Sequence, residues 1–414
     1  MEIAMTESMT MEPQTALDGP APVTEPIPTI SPTQTTANGP KKITLCMIVK
    51  NEAHVIERCL ASVVPLIDYW VIVDTGSLDG TQDKIKKFFE NAGIPGELHE
   101  REWKDFGHNR SEALEFAQKT DTDYSLMIDA DEVLVFEPGF DPMKFKETLT
   151  ADLYNIFAHF GQTRYHRPQM TSNKKKFYYR GVLHEYVDCK DTISTRDFAR
   201  GFMNTPIQDG ARSSDPEKYK KDAIKFEEAL ASGTVEEKDF NRYHFYLAQS
   251  YRDSQQWEKA MNAYLKRAEL GGWNEEVFYS LYQAGRIMEV LEKPVDSIIQ
   301  VYFKAYQTAP WRAESLWAAA RLCRAFSRFD QGYRFAKQGL KVRYPEGALF
   351  VGQGIYDWAL LDEFSIAAYW TGNYRESRIA SMQLLQQNKF PQDQKGRIEA
   401  NLKFASEALL SEGG

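Results

Sequence analysis

Two aspartates one residue apart, Asp129 and Asp131, directly follow the apolar run Tyr124-Ser125-Leu126-Met127-Ile128. Hard carboxylate oxygens at this spacing suit a divalent cation bridging a diphosphate, provided a rigid element holds them at a ligand-binding edge. The chain carries its own comparison. Asp121-Thr122-Asp123 has the same spacing but precedes the apolar run, so it belongs at the opposite end of the same element. Position rather than pattern therefore singles out Asp129-Ala130-Asp131, because a bare D-x-D in an acidic chain has little meaning. The plainer reading of the pair is an exposed turn with capping carboxylates.

A second constellation, Asp74-Thr75-Gly76-Ser77-Leu78-Asp79-Gly80-Thr81, joins a carboxylate to a glycine turn and a helix start. Asp74 there can accept the N–H of a uracil-type base or a ribose hydroxyl, while turn amides around Ser77 face anionic oxygens. Taken alone it is equally an N-cap after a tight turn.

Arg180-Gly181-Val182-Leu183-His184-Glu185-Tyr186-Val187 reads as a strand. A regular strand sends His184 and Glu185 to opposite faces, so both serve one site only if the strand ends or bulges there. Asp209-Gly210-Ala211-Arg212-Ser213-Ser214 is a polar turn whose arginine could clamp a diphosphate, or a simple hinge between domains. Tyr243, Tyr246 and Tyr251 follow helical spacing and read as helical core.

These residues need elements to hold them. Ile43 to Val49 is a continuous apolar run with the length of a strand buried on both faces, and a helix is expected from about Glu52 to Val63. Trp70-Val71-Ile72-Val73 repeats the strand signal, Asp79 is placed to cap a helix through Phe89, and Tyr124 to Ile128 gives a third strand. Strands alternating with helices imply a mostly parallel sheet, whose ligands bind beyond the carboxyl ends of its strands. Lys50-Asn51-Glu52, Asp74-Thr75-Gly76-Ser77 and Asp129-Ala130-Asp131-Glu132 all fall at such ends.

Past Asp215-Pro216 the strand signals stop and long helical patterns begin. Small residues recur at helix-crossing positions: Ala248, Gly285 and Ala320 in one series, and Ala268, Ala305 and Gly339 in another. Their spacing lies near the ~34-residue period of tetratricopeptide repeats, so three to four helix pairs are expected. The expected domains are a tail over residues 1–41, an α/β domain over 42–214 and an all-α repeat domain over 215–414.

Composition bounds the rest. Residues 1–40 hold no lysine or arginine, five acidic residues and many Pro, Thr and Ser, and are expected to be disordered. Without them the net charge of -9 falls to -4, which argues against a nucleic-acid footprint. No secretory leader and no stretch of ~18 apolar residues is present, so neither secretion nor a transmembrane segment is expected. Four cysteines without C-x-x-C spacing suit a reducing cytoplasm.

In order and spacing, Cys46-Met47-Ile48-Val49-Lys50-Asn51-Glu52, Val73 to Thr81, and Met127-Ile128-Asp129-Ala130-Asp131-Glu132 resemble the family 2 inverting glycosyltransferases of the GT-A fold. Phe245 to Asp253 and Leu270-Gly271-Gly272-Trp273 look like the subgroup in which tetratricopeptide-like helices follow that domain, a subgroup that includes peptide S-glycosyltransferases of bacteriocins. The resemblance covers roughly Lys42 onward. It implies that Asn51, Glu52, Asp74 and Ser77 line the nucleotide pocket and that Asp129 contacts the ribose or sugar. It implies, further, that Asp131 holds Mn2+ or Mg2+ on the diphosphate of a nucleotide-sugar donor, where the metal stabilises the leaving group. Family members often carry an Ala-Arg-Asn-like motif before the D-x-D strand; here Gly107-His108-Asn109-Arg110 stands instead, and Arg110 is assigned to the donor. Glu185 is expected to be the base that takes the acceptor's proton, and His184 a metal or phosphate contact.

The implied activity is metal-dependent, inverting transfer of a monosaccharide, with a uridine-linked donor expected and an acceptor that is a peptide, a protein, a lipopolysaccharide or another glycan. Two other classes stay open: a tetratricopeptide scaffold with a degenerate nucleotide-binding domain, and a nucleotidyltransferase, although Lys50-Asn51-Glu52 is no glycine-rich phosphate loop. A homodimer is also left open.

Overall fold

The computed structural model describes residues 39–160 and 163–412. The tail expected over residues 1–41 lies, but for its last three positions, outside the described residues.

The chain forms two compact units, one ending at Gly233 and the other beginning at Thr234. In the first, strands β1 (Ile43–Val49), β2 (Tyr69–Asp74), β3 (Gly96–Glu100) and β4 (Tyr124–Met127) alternate with helices α1 (Ile56–Val63), α2 (Thr81–Ala92) and α3 (Phe106–Ala117). After these come β5 (Glu132–Phe136), α4 (Pro142–Glu147), β6 (Leu153–Phe160), β7 (Thr163–Ser172), β8 (Phe177–Arg180), β9 (Tyr186–Cys189), β10 (Arg196–Pro206) and α5 (Lys218–Ala231). One eight-stranded sheet runs in the order β3-β2-β1-β4-β7-β6-β10-β5, and β8 and β9 pair separately. β1 lies parallel between β2 and β4, so the ends of these three strands share one edge, as their apolar runs predicted.

All seven residues of β1 are buried because both faces of the sheet are covered. Leu45, Met47 and Val49 pack with Ile56, Leu60 and Phe89 of α1 and α2. Cys46 and Ile48 point the other way, onto Ala113, Leu114 and Ala117 of α3. Burying such apolar side chains contributes about 1.5–3 kcal/mol each. Cys46, Cys59 and Cys323 are buried free thiols.

Two expected elements differ. The first helix begins at Ile56, not Glu52, because Asn51 adopts a left-handed φ of 57° that starts a turn instead. The strand expected from Arg180 to Val187 is broken: β8 stops at Arg180, β9 starts at Tyr186, and the intervening loop has left-handed Gly181 (φ 107°) and His184 (φ 49°). The expected domain boundary at 214/215 falls inside the first unit, which includes α5.

The second unit contains the antiparallel pairs α6 (Glu237–Asp253) and α7 (Trp257–Glu269), α8 (Asn274–Val290) and α9 (Val295–Thr308), α10 (Glu314–Ala325) and α11 (Phe329–Gly339), and α12 (Leu360–Trp370) and α13 (Tyr374–Gln387), with α14 (Lys395–Glu412) last. The small residues at helix crossings explain the repeat spacing. Ala248, Ala305 and Ala320 are buried, and a Cβ on Gly285 would sit 2.4 Å from the Tyr302 ring. Tyr243, Tyr246 and Tyr251 are core residues, as their spacing predicted. Buried charges are paired, with Arg267 on Glu276 and Arg312 on Glu275 and Glu314.

Candidate active site

Beyond the carboxyl ends of β1 and β4 lies a cavity of about 720 Å³, within the range of small-molecule sites. Asn51, Glu52, Arg110, Asp129, Asp131, His184 and Glu185, seven of the residues singled out from sequence, line it. Asp74 and Ser77 do not, although Thr75 does.

The first wall is a clasp between two strand ends. The Ser77 hydroxyl accepts the Asn51 amide (2.8 Å), and Asn51 Oδ1 accepts the Leu78 amide (2.8 Å). Thr81 Oγ1 accepts the Glu52 amide (2.9 Å). This clasp explains the left-handed Asn51 and aims Glu52 into the cavity. Asp74 supports the same turn: its Oδ1 accepts from the Gly76 and Ser77 amides and from Gln82. Its Oδ2 is buried and has no hydrogen-bond partner among the described residues.

The second wall follows β4. The Glu132 amide donates to Asp129 O (3.1 Å), a tight turn that presents both aspartates. Asp129 and Asp131 then diverge in environment. Arg110 Nη2 donates to Asp129 Oδ1 at 2.5 Å, and Arg167 lies 3.9 Å from Asp129 Oδ2. Asp131 pairs with no lysine or arginine among the described residues; the Gly210 amide approaches its Oδ2 at 3.3 Å. Burial, then repulsion from Asp129 and Glu132, pushes the Asp131 carboxyl up to about 6. Glu52 is similar: burial first, with repulsion from Asp131 and Asp129, raises it to about 7, although the Ala211 amide hydrogen-bonds to it.

The third wall is the broken β8–β9 hairpin. Gly107, in the first turn of α3, lies so close to it that a Cβ would be 2.3 Å from Gly181 O, so only glycine fits. The Phe106 amide donates to Val182 O, and Ser111 bonds to both backbone groups of Tyr179. With α3 docked this way, Arg110 Nε sits 2.6 Å from Glu185 Oε1 while its Nη2 holds Asp129. Burial opposes the charge of Arg110, but Asp129 and Glu185 together outweigh it and hold the guanidinium above the usual arginine range. His184 stacks on Phe226 with ring centroids 6.2 Å apart.

The segment around residues 208–214 forms the fourth wall. Arg58 grips Asp209 with two hydrogen bonds of 2.8 and 2.6 Å, and His54 bonds to Asp209 O. Arg212 lies 4.6 Å from the Phe106 ring centroid and pairs with Asp222 through one guanidinium nitrogen. This segment belongs wholly to the first unit, and its Gly210 and Ala211 amides meet Asp131 and Glu52, neither of which forms an ion pair with a lysine or arginine among the described residues.

Sequence reasoning missed Arg167 and Gln169 on β7, and the aromatic pair Trp103 and Phe106. Arg167 pairs with Glu132, and Gln169 donates to Met127 O. The aromatics flank Asp105, whose side chain caps α3 by accepting from His108; a capping aspartate between aromatics was the available signal.

No trio of His, Cys, Asp or Glu side chains among the described residues is arranged to hold a metal ion by itself. Mg2+ and Mn2+ at diphosphate sites need less, since one or two carboxylates suffice when phosphates and waters fill the shell. Asp131, crowded by carboxylates and without a cationic partner, fits that requirement.

A family model described as "Glycosyl transferase family 2" matches residues 44–196, which include β1 to β9 and the cavity's first three walls. A curated TPR repeat-containing protein of Synechococcus elongatus is 31% identical over 152 residues. The match covers 36% of each chain, so the chain spans about a third of that relative's length. Among solved structures, BtubC of P. vanneervenii is 16% identical, covering 45% of this chain and 74% of that one with a TM-score of 0.33. S. aureus TarS residues 1–349 in complex with UDP is 12% identical, covering 81% and 91% with a TM-score of 0.31. No helix among the described residues is long and apolar enough to cross a membrane. Residues 44–196 thus match the glycosyl transferase family 2 model, and helices arranged in successive pairs follow them in the chain.

Proposed function

We propose that the chain is a metal-dependent, inverting glycosyltransferase that moves a monosaccharide from a nucleotide-diphosphate sugar, uridine-linked, to a peptide or protein acceptor. The observation that carries this reading is the division of labour between the two aspartates after β4: Asp129 is held by Arg110, while Asp131 faces the same cavity and forms no ion pair with a lysine or arginine among the described residues. A divalent ion on Asp131 would supply charge neutralisation of the departing diphosphate.

The chain's own groups do the rest. Asn51 and Glu52 border the nucleotide end, and Asp74 supports that end from behind the cavity by accepting from the Gly76 and Ser77 amides of the turn. Arg110 fixes Asp129 toward the ribose or sugar and fixes Glu185 toward the acceptor. Glu185 accepts the proton of the acceptor nucleophile as that atom bonds to the anomeric carbon. The bond from that carbon to the diphosphate oxygen breaks on the opposite face, and the nucleoside diphosphate leaves with the electron pair. His184 borders the phosphates.

The test is to incubate the full chain with Mn2+ and a panel of nucleotide sugars and to follow nucleoside diphosphate release, then to identify the product by mass spectrometry of offered peptides and proteins. Release that requires the metal and disappears in Asp131→Asn is expected. Absence of release and of binding for every donor would leave a scaffold, and pyrophosphate release would indicate a nucleotidyltransferase.

A further inference from the structure

The cavity is bipolar. Its carboxylates gather at the ends of β1 and β4, whereas its other end is lined by Arg212, Lys218, Lys221 and Lys225, with Asp215 and Asp222 as the carboxylates among them. The floor at this end is aromatic: Lys225 Nζ lies 4.8 Å from the Trp103 ring centroid and 5.9 Å from that of Phe106, which Arg212 also overlies. From the charges and their spacing we infer that this basic, aromatic lobe is the acceptor subsite, and that it receives an acidic polypeptide segment next to the residue that is glycosylated. The inference rests on the transfer reading above and names its acceptor class.

Three observations favour an acidic chain over a single phosphate. First, phosphate is best gripped by the two-pronged arginine fork, and the nearest one, Arg212, already has one of its nitrogens on both oxygens of Asp222, whose side chain is 3% exposed. Secondly, the other cations at this end of the cavity are lysines on one helix, α5. Lys218 and Lys225 are seven positions apart, which spreads point charges over ~10 Å of helix axis, about the reach of three extended residues. Thirdly, Lys225 forms an ion pair with no carboxylate among the described residues; it rests on aromatic rings, with Asp222, Asp105 and Glu228 as its nearest negative influences. Burial and the neighbouring Arg212 depress its amine, the state of a cation that an incoming carboxylate would relieve. Lys221, paired with Asp215 and 62% exposed, continues the row toward solvent.

The aromatic floor gives such a segment something to pack on besides charge, and Phe106 stands one helical turn before Arg110 on α3. A residue bound over Phe106 would therefore reach toward Glu185.

The probes are two fluorescein-labelled peptides, hexaglutamate and hexaglutamine, titrated with the full chain in ~50 mM salt and saturating Mn2+ and uridine diphosphate. Fluorescence anisotropy should show the acidic peptide binding ~10-fold or more tightly, a preference that weakens with added salt. The double variant Lys221→Gln/Lys225→Gln should reduce the ratio below ~3-fold, with circular dichroism confirming its fold. Equal binding of both peptides to the wild type, a ratio untouched by the substitutions, or displacement of the peptide by the nucleotide would each overturn the inference. Nucleotide-sugar turnover is measured on the same preparations. Turnover without peptide preference sinks the acceptor assignment alone, while preference without turnover on any donor sinks the transfer reading and the acceptor assignment with it.

Discussion

Arg110 Nε lies 2.6 Å from Glu185 Oε1, and this contact couples the helix before the D-x-D strand to the loop that breaks the β8–β9 hairpin. The same guanidinium holds Asp129, so one side chain, 8% exposed, sets the separation of the two carboxylates assigned to donor and acceptor. Lysine has a single ammonium and cannot replace this two-sided grip. Arg110→Lys should keep the fold and lower kcat ~100-fold through misplacement of the carboxylates. In a Glu185→Gln background, itself expected to lose ~10²–10⁴-fold, the same change should cost less than in the wild type, because one of the two carboxylates that Arg110 positions is already gone and only Asp129 remains. Steady-state kinetics of the wild type and the three variants decide the matter, and fully additive losses would mean that Arg110 acts independently of Glu185.

The two D-x-D pairs make opposite predictions for similar chemistry. Asp131→Asn removes the carboxylate without a cation partner from the cavity and should lower turnover ~1000-fold or more, while its melting temperature holds or rises, since a crowded charge is gone. Asp123 instead accepts the Lys42 amide (3.0 Å) and pairs with Lys41 at the far end of β4. Asp123→Asn should change turnover less than twofold and stability by less than ~0.5 kcal/mol. Parallel assays and melts of the two variants test the contrast; comparable loss of turnover in both would detach the chemistry from the strand end.

That contrast was legible in the sequence because it depends on a single relation, which end of an apolar run a carboxylate follows. The strands β1, β2 and β4, the edge they share and the helix pairs were readable for the same reason: burial writes itself as runs and periods. Other features depend on contacts between distant segments and left no local trace. Asn51 reads as the start of a helix until Ser77 and Leu78, from the next strand end, turn it left-handed. His184 and Glu185 read as alternating strand residues until Gly107 presses against Gly181 and the hairpin opens. Arg167 lies in a strand whose polar residues show no alternation that marks it, and only the fold brings it to Glu132. Asp74 shows the converse. Its position at a strand end was correct, yet its side chain turns back to tie its own loop and does not line the cavity.

The helical region makes a prediction about packing. Gly285 lies where α8 meets α9, and a methyl group there would sit 2.4 to 2.9 Å from three atoms of the Tyr302 ring. Tyr302 is fully buried and bonds to Glu289, so it has little room to withdraw. Alanine favours a helix over glycine by ~1 kcal/mol, but overpacking a filled crossing costs ~1–3 kcal/mol. Gly285→Ala should therefore be neutral to destabilising by ~2 kcal/mol in denaturant melts. A variant more stable than the wild type would show that the crossing is looser than the glycine contact indicates.

The half-buried glutamate after β1, Glu52, makes the protein's stability depend on pH with a definite sign. Burial, together with Asp131 and Asp129, raises Glu52 from 4.5 to about 7. Between these values the folded chain keeps a proton that the unfolded chain has lost, so stability falls as the pH rises through this window. Glu52→Gln retains the shape without the charge. At pH 4.5 the two metal-free proteins should melt together, whereas at pH 8 the variant should be more stable by ~1 kcal/mol, a value discounted for the partial exposure of the side chain. The same substitution removes a carboxylate from the proposed nucleotide end, so tighter folding at pH 8 should come with weaker nucleotide binding. Thermal melts at both pH values, paired with nucleotide titrations, measure the two effects. A stability difference that is the same at pH 4.5 and pH 8 would show that proton uptake by Glu52 is not its source.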